Sequence, residues 1–253
     1  MLPLIDHNFR RHATRIPSRA AGMTVEETPH LSYVDSRLDC DTFNIIHLHD
    51  GTEQAVPELA RAVAHFRDRS LAYCLWLNEG SLTPAIARQL AELGMTRQGE
   101  EVGMVLELAE YTPATTAIDP HIQVVQSPAE VADYAEVVAR NWSPPDEQVR
   151  RYYHQTASLY LDSDIRLLVY YLDGRPVGTV ELFPTDAEVL GLYGLATLHT
   201  HRRRGIGSAL MRVALQLARD QGYRQVVLQA SEDGLGIYQQ MGFRAAGMFF
   251  EYA

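Results

Sequence analysis

Cysteine is almost missing from this chain. Cys40 and Cys74 are the only two in 253 residues, and they form no Cys-x-x-Cys pair. A disulfide-stapled scaffold is therefore excluded, a zinc site is not expected, and a reduced, cytoplasmic protein is the fitting setting. No run of about 18 apolar residues occurs, so no membrane-spanning helix is expected. The first residues, from Met1 to Arg11, lack the long apolar core of a signal peptide. Net positive charge is absent too: 22 Lys and Arg stand against 32 Asp and Glu, a formal net charge of −10. General attraction to nucleic acid or to anionic lipid is not expected. What remains is 46% apolar and 21% charged, ordinary for a water-exposed globular chain. At this length it has room for two cores.

Against that acidic background one basic, glycine-punctuated stretch stands out: Thr197-Leu-His-Thr-His-Arg-Arg-Arg-Gly-Ile-Gly-Ser-Ala-Leu210. An apolar run over 189–198 leads into it, and an amphipathic run over 206–221 leads out. A strand that turns into a helix in this way presents unpaired backbone N–H groups at the helix start. The helix dipole adds roughly half a positive charge there. Gly205 and Gly207 have no Cβ, so a ligand can come close to the main chain. The stretch reads as an anion cradle built mostly of backbone. It is not a Walker A loop, since no Gly-Lys-Ser/Thr follows. It is not a three-glycine dinucleotide loop either, since the third position is Leu210.

The spacing Arg202-x-x-Gly205-x-Gly207 resembles the signature of the GNAT family, the GCN5-related N-acetyltransferases. The resemblance extends to Tyr238-x-x-x-Gly242-Phe243. It implies a loop that grips the pyrophosphate of acetyl-coenzyme A. On that reading the contacts come from Arg202, Arg203, Arg204, Gly205, Ile206, Gly207 and Ser208. The strand edge at Leu195, Ala196 and Thr197 pairs with the pantetheine arm. Ser231, which stands where many members have Asn, meets the pantetheine or caps the next helix. Tyr238 contacts the cofactor and is the acid that protonates the departing thiolate. Gly234 stands where many members have Ala, so the segment departs from the commonest form.

The periodicity supports the same order of elements. A short helix opens the chain. Residues 43–48 read as a strand, 53–69 as a helix, 72–77 as a strand, 83–93 as a helix stopped by Gly94, and 101–108 as a strand. Residues 113–120, with Pro113, Pro120 and three threonines between 112 and 116, read as a linker. A second series follows. It comprises a strand at 122–125, a helix capped by Ser127 and Glu130, a second helix capped by Asp146, and strands at 166–172, 175–183 and 188–198. The helix 206–221, a strand at 225–229, a helix near 234–241 and a last strand near 247–252 complete it. The predicted domains are 1–112, a degenerate GNAT-like module without the loop, and 121–253, a catalytic module. The fold that the resemblance implies is α/β (α+β), a mixed, mostly antiparallel sheet with two splayed parallel strands, preceded by a smaller GNAT-like α/β module.

A base must take a proton from the acceptor amine. Glu181 is the preferred candidate, ahead of Glu188, Tyr193, His199 and His201; the two histidines lie at the pyrophosphate end, far from the thioester. In the first half, His47 and His49 alternate along a strand and read as its polar face. Asn44 and Trp76 could line an acceptor pocket that this half helps to cover. The expectation is an acetyl-CoA-dependent N-acetyltransferase for a small-molecule amine. It would be cytoplasmic, a monomer or homodimer, with no metal, nucleic acid or membrane partner. The rivals are a non-catalytic acyl-CoA-binding or regulatory protein, and a tandem enzyme with two competent modules.

Overall fold

The computed structural model describes residues 1–112 and 119–253, so the expected linker falls mainly outside the described residues. In chain order the elements are α1 (Leu2–Arg15), β1 (Thr24–Glu27), β2 (Leu31–Asp35), β3 (Ile45–Leu48), α2 (Ala55–Arg67), β4 (Cys74–Asn78), α3 (Pro84–Glu92) and β5 (Arg97–Glu107). Then come β6 (Ile122–Val124), α4 (Pro128–Ala139), α5 (Glu147–Leu161), β7 (Arg166–Leu172), β8 (Arg175–Pro184) and β9 (Val189–Thr197). The chain closes with α6 (Ile206–Asp220), β10 (Gln225–Ala230), α7 (Glu232–Gln240) and β11 (Arg244–Tyr252). No described helix is long and apolar enough to cross a membrane.

Residue contacts group the chain into two compact units. The first holds Met1–Gly103, Gln229–Glu232 and Ala245–Ala253. Its strands lie in the order β1-β2-β3-β4-β11, antiparallel except for the parallel pair β3 and β4. Ile46, Leu48, Leu59, Phe66, Leu75 and Ile86 form the centre of its core, and all are essentially unexposed. Thr83 caps α3 by accepting the Ile86 amide, with Pro84 at the first helical position, where a missing N–H costs nothing.

The second unit holds Met104–Leu228 and Asp233–Arg244. Its strand order is β10-β9-β8-β7-β6. The meander β6 to β9 is antiparallel, and β10 runs parallel to β9. Helix α4 packs on α5 and β8; α6 packs on β8 and β9. The Ser127 cap forms as a reciprocal box: Ser127 Oγ accepts the Glu130 amide, while Glu130 Oε2 accepts the Gln126 amide. Asp146 Oδ1 caps α5 through the Gln148 amide at 2.7 Å.

Two features differ from expectation. The hairpin β1–β2 lies between the opening helix and residue 43, where the periodicity assigns no strand. Helix α4, which the sequence pattern extends to about Trp142, stops at Ala139, because the amides of Arg140, Asn141 and Trp142 close onto Glu136, Val138 and Ala139.

Candidate active site

Strand β9 and helix α6 place the glycine loop. Between them a short 3-10 turn spans His199–His201. Arg203 and Gly205 then take left-handed backbone, at φ 63° and 79°, which tightens the path into the helix. At φ 79° a side chain is strained whatever the surrounding space, so Gly205 is required by conformation. Gly207 is different. A Cβ added there would meet Ile237 Cδ1 at 3.5 Å and Thr197 Oγ1 at 3.9 Å, both ordinary contacts. The protein's own packing does not demand glycine at 207; a ligand lying against the main chain would. No side chain caps the first turn of α6, so its leading amides point outward without an intrahelical acceptor. Arg202 Nε donates to the Thr197 carbonyl at 3.3 Å and braces the end of β9. Arg203 and Arg204 are exposed. This donor set fits an anionic, phosphate-like group.

Next to the loop the sheet opens. Strand β9 pairs with β10 only over Val189–Gly191, opposite Gln225–Val227. Residues 192–197 of β9 run on without a β10 partner among the described residues, and Leu195, Ala196 and Thr197 belong to this stretch. On its other side β9 is paired with β8, where the register shifts between Thr179 and Glu181. The shift is a bulge at Gly194, φ 57°, pinned by Thr179 Oγ1 donating to the Gly194 carbonyl at 2.9 Å. A Cβ on Gly194 would lie 2.2 Å from Tyr134 Oη. The bulge and the tyrosine therefore exclude any larger residue there.

Helix α7 carries Tyr238, and its end explains half of the second motif. The Phe243 amide donates to the Tyr238 carbonyl at 3.1 Å, and the Gly242 amide to the Gln239 carbonyl at 3.0 Å. Gly242 has φ 93°, and the rings of Tyr238 and Phe243 meet edge to face at 5.9 Å. This is a Schellman stop with its hydrophobic contact. Tyr238-x-x-x-Gly242-Phe243 is thus a helix terminator that also locks the tyrosine ring. Gly234 completes the lock: a Cβ there would lie 2.9 Å from Tyr238 Cε2. Ser231 is exposed and directly precedes α7.

Glu181 lies within β8, opposite Tyr193, and is 2% exposed. Buried tyrosines gather around it from two helices: Tyr134 from α4, and Tyr152, Tyr153 and Tyr160 from α5. All four phenols are held above the ordinary tyrosine range, first by burial and then by neighbours that include the Glu181 carboxylate. Sequence reasoning missed these tyrosines because on amphipathic helices they read as core. Gly194, inside an apolar strand run, was the signal for the bulge.

The acetyltransferase (GNAT) family model matches residues 131–243, the span that holds every one of these features. The chain carries a GNAT-family acetyltransferase domain. The chain is 43% identical, over 84 residues, to N-acetyltransferase 8B of Homo sapiens. That match covers 30% of this chain and 37% of the relative, so the chain spans little more than a third of that protein's length. Nearly the whole chain shares its fold with a GCN5-related N-acetyltransferase from Kribbella flavida, at 20% identity and TM-score 0.70, over 98% of this chain and 95% of that one. A tandem GNAT protein from the clavulanic acid biosynthesis pathway aligns at 14% identity and TM-score 0.61, over 95% and 86%. At these identities the structural likeness concerns the fold.

Other candidate residues fall elsewhere in the GNAT domain or outside it. Glu188 precedes β9 at the end away from the loop and pairs with Arg224 at 3.2 Å, both exposed. His199 is exposed and His201 half-buried in the turn itself, with His201 Nδ1 2.9 Å from Thr200 Oγ1. In the first unit His47 is not on a solvated face. It is 1% exposed, with Nε2 3.0 Å from Asp6 Oδ1, because α1 covers that face of β3. No group of three or more metal-ligating side chains forms among the described residues. Asn44 is wholly committed: Oδ1 accepts from the Ser36 amide and hydroxyl, and Nδ2 donates to the Leu38 and Ala72 carbonyls. Its role is to hold the turn after β2. Trp76 is half-buried against Phe9, ring centroids 5.9 Å apart.

Proposed function

We propose that this protein is an acetyl-CoA-dependent N-acetyltransferase whose acceptor is a small-molecule amine. The observation that supports this most is the coincidence of an uncapped α6 start, a needless glycine at 207 and the unpaired edge of β9. Acetyl-CoA, when bound, supplies the activated acetyl group. The amides at the start of α6, with Arg203 and Arg204, hold its pyrophosphate. The edge at Leu195–Thr197 hydrogen-bonds its pantetheine as an added strand would. Glu181 takes the proton from the attacking amine. Tyr238 donates its phenolic proton to the leaving thiolate. The acidic chain, formal charge −10, favours a cationic acceptor approaching as its ammonium form. The cell compartment we assign is the cytoplasm, and the oligomer a monomer or homodimer.

The test is coenzyme A release from acetyl-CoA with a panel of short alkylamines, arylalkylamines, amino sugars and amino acids. Release is expected with at least one class. Y238F should slow it about 100-fold while leaving acetyl-CoA affinity within about twofold. A protein that binds acetyl-CoA and releases thiol with none of these amines is an acyl-CoA-binding protein instead.

A further inference from the structure

Helices α4 and α5 pack on each other, yet a cleft of about 520 Å³ remains between them. That volume lies in the range of small-molecule sites. Val131, Ala132 and Ala135 line it from α4, and Tyr153 and Ala157 from α5. The three alanines make the room, since a longer side chain at these positions would occupy it. Val131, Ala135 and Tyr153 are 1%, 2% and 6% exposed. The inner wall is therefore core, set in place before any ligand arrives.

The charged side chains of the cleft divide into two groups. Glu136 accepts from Arg140 Nε at 2.7 Å and from Arg150 Nε at 2.8 Å, and Arg150 also pairs with Glu147. These groups are satisfied within the protein. Arg151 and His154 are not. Both line the cleft, both are exposed, and neither has a hydrogen bond or an ion pair among the described residues. They stand three residues apart on α5, so their side chains are neighbours on its surface. The chain as a whole carries a formal charge of −10. Here one guanidinium, with its fork of N–H donors open, borders an apolar wall without an acid to meet it.

We propose that the α4–α5 cleft is a binding site for a small organic carboxylate with an apolar body. The body lies along Val131, Ala135 and Ala157. The carboxylate takes the guanidinium of Arg151 in a two-point pair, with His154 as a further donor. A single free arginine suits a monoanion; a phosphate dianion would call for a second cation, and Arg150 is already committed to two glutamates. The required charge is opposite to that of an amine acceptor. Neither α4 nor α5 carries a residue of the glycine loop or of the β9 edge. The carboxylate is therefore a ligand additional to both substrates of the proposed reaction, and its binding does not depend on acetyl transfer.

The test is calorimetric titration of the whole chain at low salt with three probes that share one ring system: 2-naphthoate, 2-naphthylmethanol and 2-naphthylmethylamine. The acid should bind about tenfold more tightly than the alcohol, the worth of a charge-assisted pair, and the amine should bind no better than the alcohol. R151A should bring the acid down to the level of the alcohol and leave the alcohol where it was. A157F, which fills the cleft, should abolish binding of all three; should A157F melt early, A132F on the facing helix carries the same readout. Saturating coenzyme A should leave the affinity for 2-naphthoate unchanged. Equal affinity for acid and alcohol, a tighter amine, or full acid affinity in R151A would overturn the carboxylate assignment. Absence of saturable binding by any probe, binding that survives both A157F and A132F, or displacement by coenzyme A would overturn the site itself.

Discussion

In the first unit the parallel crossover from β3 to β4 passes through α2; in the second the crossover from β9 to β10 passes through α6. The first is closed. All four residues of β3 pair with β4, from Ile45↔Cys74 to Leu48↔Leu77. Its loop carries Asp50 and Glu53, and Gly51 is pressed against the backbone of Ser81, with its carbonyl accepting from Thr83 Oγ1 at 2.7 Å. The second is open. Only three residues of β9 pair with β10, the loop carries Arg202, Arg203 and Arg204, and the glycine at 207 has room to spare. A parallel pair that stays zipped leaves no main-chain edge for a ligand. Early release of the pair, together with a basic loop, gives the same connection the open strand edge and free helix-start donors that the proposed anion site uses.

The largest expected effect breaks the closed crossover. A Cβ at Gly51 would lie 2.2 Å from the Ser81 carbonyl oxygen, and that neighbour is backbone, which cannot swing aside. G51A should destabilise the protein by about 3 kcal/mol, the upper range for overpacking, in urea unfolding. Molecules that remain folded should bind acetyl-CoA normally. Equal loss of affinity would mean that the first crossover also serves the ligand.

A pH effect of similar order belongs to the first unit alone. Burial, and then the nearby Glu251, push the Glu101 carboxyl up to about 7. Burial raises Glu251 as well, reinforced by Asp41. In the unfolded chain these groups titrate near 4.5, so between that pH and about 7 the folded state binds the extra protons. Stability should therefore fall as pH rises from about 4.5 to 7, by about 2–3 kcal/mol, and level off above. Trp76 fluorescence during urea unfolding at pH 5 and pH 8 measures the difference. E101Q should remove most of it, and a wild-type profile that rises with pH would contradict the assignment.

The smallest effect on stability should accompany a clear effect on binding. G207A has room in the protein and gains helix propensity, so its melting temperature should hold or rise by a degree or two. Its affinity for acetyl-CoA should fall at least about tenfold, or about 1.4 kcal/mol, by calorimetry. Weaker still, the R203A/R204A pair should reduce affinity about threefold in low salt and less at high ionic strength, where exposed charges are screened.

Much of this contrast could be read before the fold was known, but unevenly. Arg202, Gly205 and Gly207 announce an anion loop because left-handed backbone and close approach both select glycine. Tyr238, Gly242 and Phe243 were legible as a motif, although their meaning as a helix stop needed the observed φ of Gly242 and the two capping bonds. The strand β2 was missed because all five of its residues, Leu31–Asp35, are buried; Ser32 and Asp35 inside the core erase the alternation that marks a half-exposed strand. Nor does periodicity name partners. That β11 would pair antiparallel with β4, Phe249 opposite Asn78, is a long-range choice that no local pattern carries. The tyrosines around Glu181 share this limit: each looks like core on its own helix, and only the packing of α5 on α4, and of α4 on β8, brings them to one carboxylate.

The central claim is that acetyl-CoA is held by the start of α6 and the open edge of β9. Amide hydrogen exchange with and without saturating acetyl-CoA tests it without knowledge of the acceptor. Slowed exchange is expected in 195–197 and 206–208, with residues 45–54 of the closed crossover unchanged. Unchanged exchange at the α6 start, or protection centred on the first crossover, would contradict it.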